Sequence, residues 1–264
     1  MRTRRLIAAG ALSLALCYLV LHCLQFGFQR GARDRRPMVF NVGMPKAGST
    51  SLANYLSCVG YDSVSHWHCD GGKSFSQKRT YCGQCISRAI TRNVSLDKEC
   101  GYHSAYTQMD REEHDCSFPQ ILHLDYLDAW YENAKFIYIR REPEAWISSL
   151  RKWRRNMHIR MLRCMHILNI VDLSTEISST CWNGSECTGV QLWKSVYKKS
   201  KGDQVLRSVV HQHERNVWRK FADRPNDLLF VNLTDPVLEE KINIFLNVAP
   251  DSSQSGCWGQ YNHI

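Results

Sequence analysis

The sequence predicts an α/β chain built on a parallel sheet, standing behind one apolar N-terminal segment. Three observations carry this. Three short apolar runs each lead into a segment whose apolar residues recur at helical spacing, a glycine-bearing turn joins the first such pair, and residues 6–28 form one long apolar stretch. Continuous apolar strands alternating with amphipathic helices imply strands buried on both faces, hence a parallel sheet covered on both sides. In such sheets ligands bind beyond the carboxyl ends of the strands.

The N-terminal stretch is broken only by weakly polar positions such as Ser13, His22 and Gln25, and at helical rise it is long enough to cross a bilayer. A cleaved signal peptide begins the same way with a shorter apolar core, but no clear small-x-small cleavage site follows Leu24, so a retained transmembrane signal-anchor is favoured. Arg2, Arg4 and Arg5 precede the span while Arg30, Arg33, Arg35 and Arg36 follow it, so flanking charge does not orient it. Cysteine usage does. Of 12 cysteines, Cys17 and Cys23 lie in the span, leaving an even and high number for an oxidising compartment. The sequons Asn93-Val94-Ser95 and Asn183-Gly184-Ser185 agree with a lumenal body, whereas Asn232-Leu233-Thr234 follows a strand-like run and is expected to be too buried for a glycan. The expected order is a cytosolic tail at 1–5, the span at 6–28, a basic stem at 29–37 and a lumenal domain at 38–264. The net charge of +9 points to an anionic partner. Lumenal placement disfavours nucleic acid.

The first strand–helix pair is MVFNVG at 38–43, then a helix from Ser49 with Leu52, Ala53 and Leu56 at helical spacing. The second is KFIYIR at 135–140, followed by Pro143, which suits a first helical turn because its missing N–H is not needed there. One helix through 144–163 is expected to set Trp146, Leu150, Trp153 and Met157 on one face and Arg151, Lys152, Arg154 and Arg155 mostly on the other. The third is DLLFVN at 227–232 with a helix over 236–246.

The turn Gly43-Met44-Pro45-Lys46-Ala47-Gly48-Ser49-Thr50-Ser51 nearly reproduces the G-x-x-x-x-G-K-[ST] pattern, but Ser49 holds the lysine position and the lysine stands earlier, at Lys46. A glycine turn onto a helix N-terminus points backbone N–H groups at an anion. A cation at the loop apex suits a donor with one 5′ phosphate carrying the transferable group. A structural turn with a solvated lysine is the bland alternative. The Pro-Lys-x-Gly-Ser/Thr-Ser/Thr loop after a first strand resembles the 5′-phosphosulfate loop of sulfotransferases that use 3′-phosphoadenosine 5′-phosphosulfate (PAPS). The resemblance implies that Lys46 contacts the bridging oxygen as the S–O bond breaks, and that Lys46, Ala47, Gly48, Ser49, Thr50 and Ser51 form the 5′-phosphate site.

A second pattern supports the first. Arg141 ends a strand and Ser149 lies eight residues on within the next helix, which resembles the same family's 3′-phosphate site. An arginine fork matches phosphate oxygens bidentately and a serine hydroxyl adds a donor. Arg140 and Ser148 are the alternatives by one residue. The resemblance covers roughly residues 38–247 and implies a P-loop-like three-layer α/β sandwich of the sulfotransferase fold, following one transmembrane helix. It departs from the family in one place. Residues 248–264 hold no Lys or Arg, so the basic-glycine loop that completes the 3′-phosphate site in many relatives is missing.

The implied activity is sulfuryl transfer from PAPS, leaving 3′-phosphoadenosine 5′-phosphate (PAP), to a hydroxyl or amine of an acceptor, most often carbohydrate, by a single-pass type II protein of the Golgi membrane, with no metal expected. The acceptor needs a nearby base. Asp110, at the end of a strand-like stretch, is the first candidate, with Glu112, Glu113, His114 and His103 behind it. His66, His68, Cys69, Cys82 and Cys85 also admit a zinc reading, but in an oxidising lumen disulfides are favoured, and Cys181 and Cys187 suit a local bridge. His213, on a helix before the last strand, reads either as packed or as an acceptor-site residue. Lys194, Lys198, Lys199 and Lys201, with the basic face of the 144–163 helix, suit an acidic glycan or a solvated surface equally. Two other functions fit the fold: a P-loop-type kinase, and a non-catalytic lumenal nucleotide- or glycan-binding protein.

Overall fold

The computed structural model describes residues 36–69, 80–113, 115–153, 156–171, 199–248 and 256–259. The expected span at 6–28, nearly all of the stem, His114, Lys194, Lys198, the Asn183 sequon and the Cys181–Cys187 pair lie outside the described residues. No described helix is long and apolar enough to cross a membrane.

Five strands, β1 (Val39–Asn41), β2 (Val64–His66), β3 (Ala105–Gln108), β4 (Lys135–Arg140) and β5 (Leu228–Asn232), form one sheet in the order β2-β3-β1-β4-β5. Every pairing is parallel. β1 lies in the middle, with Val39 and Phe40 set against Ala105 and Tyr106 on one side and against Lys135 and Phe136 on the other. The chain therefore builds one half of the sheet through β3 and crosses over β1 to build the other. That reversal leaves a crevice at the carboxyl end of β1, where ligands bind in open α/β sheets.

The strands explain their own burial. Phe136 and Tyr138 of β4 join Phe40 and Tyr106 in a core on one face, with Phe40 at 5.5 Å centroid distance from both Tyr106 and Phe136. Ile137 and Ile139 point the opposite way and pack with Val39, Ala105 and Val231. The first face is covered by α2 (Cys82–Arg92), α3 (Leu96–Cys100), α5 (Leu124–Trp130) and the last turns of α8 (Lys199–Lys220). The second is covered by Leu52, Tyr55 and Leu56 of α1 (Ser49–Cys58) and by Leu238, Ile242 and Leu246 of α9 (Leu238–Leu246). A short α4 (Pro119–Leu122) precedes α5.

The helix expected through 144–163 is two helices, α6 (Pro143–Lys152) and α7 (Met157–Ile167). Trp153 takes an extended backbone (φ −74°, ψ 149°) and Asn156 a left-handed one (φ 55°), a conformation that asparagine tolerates better than most residues. The break keeps Trp146, Leu150 and Met157 in a third core with Leu206 and Val209 of α8, while Trp153 only leans on it.

Four disulfides join the described cysteines: Cys58–Cys257, Cys69–Cys82, Cys85–Cys100 and Cys116–Cys164. Cys69, Cys82 and Cys85, which the zinc reading needed as thiolates, are thus all oxidised. The Cys58–Cys257 bond spans 199 residues of sequence and ties the end of α1 to the C-terminal segment. Closing so long a loop removes much freedom from the unfolded chain, so replacing both residues by serine should lower unfolding free energy by roughly 2–5 kcal/mol. Denaturant midpoints of the two proteins measure this. Equal midpoints would mean that the bond contributes nothing in solution.

Candidate active site

The turn from β1 into α1 is held from several directions. The Asn41 side chain donates to the Thr107 carbonyl (2.8 Å) and accepts from the Gly43 amide (3.1 Å). His213 donates through Nε2 to the Val42 carbonyl (2.7 Å), the Trp146 indole donates to Pro45 (2.6 Å), and Arg141 donates to the Lys46 carbonyl (2.9 Å). His213 is accordingly a packed histidine, with burial driving its pKa down to about 4. Gly48 sits at φ 91°, and a Cβ there would come within 2.7 Å of Leu233. Only glycine fits a left-handed turn so close to its neighbour. Gly48 also begins α1 with no capping side chain and no acidic residue in the first turn, so the positive end of the helix faces the crevice.

A cavity of about 940 Å³ opens at this point. Lys46, Gly48, Ser49, Thr50 and Ser51 line it from the turn, and Arg140, Arg141, Ser148, Ser149 and Lys152 from the end of β4 and along α6. The two patterns read from the sequence thus meet in one space. Ala47 does not: its methyl is buried and its amide bonds to the Met44 carbonyl (3.3 Å). Arg140 pairs with Glu214 of α8 at 3.1 Å, whereas Arg141 faces the turn. Lys46 has a left-handed backbone (φ 66°) and lays its ammonium 3.2 Å from the centre of the Trp153 ring. Burial, and after it the Arg141 charge, lower the Lys46 pKa to about 8.

The opposite wall carries His66, Trp67, Gln108 and Glu112. Ser49 donates to Gln108 Oε1 (3.2 Å), and Gln108 donates in turn to Asp110 (3.3 Å). Asp110 itself is buried behind Gln108 and does not line the cavity. Burial, then the nearby Glu112 carboxylate, raise its pKa to about 7. Glu112 does line the cavity but is paired to Arg160 of α7 at 2.9 Å. His103 is buried against the Cys69 and Cys100 carbonyls, and Glu113 ion-pairs with Arg111, so neither reaches the cavity wall. His66 and Trp153 were visible in the sequence as a metal candidate and a core residue, with no signal for a cavity role. Asn232, Leu233 and Thr234 close the rim. Asn232 is exposed, against the sequence expectation, because β5 is an edge strand.

Residues 38–250 match the family model described as Sulfotransferase domain, which covers most of the chain and both cavity-lining loops. No curated protein matches the chain.

A carboxyl whose pKa is higher in the folded protein than in the unfolded chain holds its proton more tightly when folded. For Asp110 the stability this confers is greatest below about pH 4 and is lost as the pH rises to about 7. Asp110→Asn should therefore flatten that stretch of the stability–pH curve and exceed wild type at pH 8, by on the order of 4 kcal/mol at most. Chemical denaturation at pH 4, 6 and 8 tests it; parallel curves for the two proteins would refute the buried, proton-holding Asp110.

Proposed function

Because the chain belongs to the sulfotransferase family, we propose that it moves a sulfuryl group from PAPS to a hydroxyl, or an amine, of a carbohydrate acceptor in the secretory pathway. What carries the reading is the convergence of Lys46, the Gly48 turn, Arg141 and Ser149 on one cavity, from loops 95 residues apart.

The cavity fits the donor by its chemistry: a left-handed glycine where a side chain would fill the cradle, an open helix N-terminus, and the cations of Lys46, Arg141 and Lys152 around it. PAPS, when bound, supplies the transferable sulfuryl group and departs as PAP. Gly48, Ser49, Thr50 and Ser51 hold the 5′ phosphate through amides and hydroxyls. Arg141 and Ser149 hold the 3′ phosphate. Lys152, one helical turn beyond Ser149, supplies the second cation that residues 248–264 lack. Lys46 stabilises negative charge that develops on the bridging oxygen, in a site poor enough in water to strengthen the interaction.

On the acceptor side, Trp67 offers an indole face, with Gln108 and Glu112 beside it as polar partners. Flat apolar rings flanked by a few polar groups suit a sugar. Asp110 acts through Gln108 as a positioning residue. A kinase reading has no support in the loop, where Ser49 stands in place of the phosphate-binding lysine. The lumenal reading draws on four disulfides, a feature of secretory-pathway domains, and on the exposed Asn93 sequon. Anchoring in the Golgi membrane through residues 6–28 belongs to the same proposal.

Thermal unfolding of the full chain with and without PAP tests the donor site. At a hundredfold excess over Kd, PAP should add about 2.7 kcal/mol of stability to wild type and much less to Arg141→Ala. Transfer from labelled PAPS to a panel of sugars should fall roughly 10²–10³-fold in Lys46→Ala. A folded wild type that responds to ATP and not to PAP would overturn the assignment.

A further inference from the structure

Resting on the donor reading above, we propose that His66 takes the proton of the acceptor group, and that Thr50 caps it until the 5′ phosphate of the donor claims the Thr50 hydroxyl. Donor loading then exposes the base. The ring of His66 lies between two hydroxyls, with Nδ1 at 3.0 Å from Thr107 Oγ1 and Nε2 at 3.3 Å from Thr50 Oγ1. Thr107 donates its one hydroxyl hydrogen to the Ser65 carbonyl (2.9 Å). Its oxygen can therefore only accept from His66, which places the ring hydrogen on Nδ1. Nε2 is left with a lone pair, and the Thr50 hydroxyl donates to it.

The backbone aims this nitrogen. The β2–β3 register slips between Ser65 and His66, so that Ser65 faces Tyr106 while His66 faces Gln108, and the following residue, Trp67, is left-handed at φ 64°. A bulge of this kind turns a side chain out of the regular alternation. It brings the imidazole to the cavity wall beside Gln108 and opposite Lys46. The charged and titratable groups around it are His68 on its own segment, Lys46 on the β1–α1 turn and Glu112 beyond β3. Burial, then His68 and Lys46, push the His66 pKa down to about 4, so the ring is neutral at physiological pH and its Nε2 carries a lone pair.

Thr50 stands in the first turn of α1, among the residues assigned to the 5′ phosphate. An ionised phosphate oxygen is a stronger acceptor than a neutral imidazole nitrogen. Once it takes the Thr50 hydroxyl, Nε2 is open to an acceptor hydroxyl. The acceptor oxygen then forms the new S–O bond, its proton goes to Nε2, and the S–O bond to the 5′ phosphate breaks with its electron pair leaving on PAP. An acceptor arriving before the donor meets a capped base, so binding is ordered with the donor first.

The test is ring-nitrogen NMR of the full chain with labelled histidine, the His66 signals being those lost in His66→Gln. Without ligand, Nδ1 should carry the proton and Nε2 should show an accepted hydrogen bond. PAP should shift Nε2 toward a bare lone pair and leave Nδ1–H in place. In Thr50→Val the ligand-free Nε2 signal should already sit at the position that PAP produces in wild type. Turnover of His66→Gln should fall at least about 100-fold while PAP still raises its melting temperature. A proton on Nε2, an Nε2 signal unmoved by PAP that nonetheless stabilises the protein, or near-normal turnover of His66→Gln would each overturn the proposal. Failure of PAP to stabilise wild type at all would instead sink the donor reading on which it rests.

Discussion

Arg141 donates one guanidinium N–H to the carbonyl of Lys46, and that bond ties together the two loops that line the cavity. One end belongs to β1 and its turn, the other to β4 and its helix, and the strands themselves are fixed side by side by the parallel ladder. Lys46 adopts a backbone that side-chain-bearing residues avoid. Such a conformation persists only where its surroundings over-determine it. Here Arg141, Trp146 and His213 grip three carbonyls of the turn and its approach, those of Lys46, Pro45 and Val42. The turn is held in place by side chains from elsewhere in the fold that bond to its backbone acceptors.

The same crowding shapes its electrostatics. Two cations, Lys46 and Arg141, face one space from which water is partly removed, and both have pKa values lowered by that burial. The indole of Trp153 gives the Lys46 ammonium a partner across its ring face. That ring is available because α6 stops one residue earlier and the chain runs out in an extended conformation. The helix break is therefore part of how the cavity holds its charge. An anion entering between the two cations relieves a repulsion that the fold has built in, which is a reason for a multiply charged ligand to bind there.

How much of this was legible in the sequence depended on how local the signal was. β4 shows at its full length, Lys135–Arg140, because four apolar or aromatic residues run between charged ends. The turn from Gly43 to Ser51 shows because glycine and lysine spacing is a chemical pattern readable in a line. β2 was missed, since three residues, Val64–His66, are too few to display alternation. With it went the placement of His66 on the cavity wall, which needs the strand, its slipped register and Thr107 from β3 together. Asp110 looked like a strand-end carboxylate facing substrate, but whether a side chain points in or out at the end of a four-residue strand is decided by packing. The break at Trp153 was hidden because Trp146, Leu150, Trp153 and Met157 keep helical spacing across it. The oxidised state of the cysteines followed from their number, whereas their pairing depended on which ones the fold brings together.

Those pairings also impose an order in time. Cys69–Cys82, Cys85–Cys100 and Cys116–Cys164 span 13, 15 and 48 residues, so each can close while later parts of the chain are still being made. Cys58 has no such option. Its partner lies 199 residues on, and Cys58 cannot make this bond until residue 257 has been synthesised. Among the four described bonds, the one that locks the helix opening the cavity is consequently the last that can form, and a chain that stops before residue 257 never receives it.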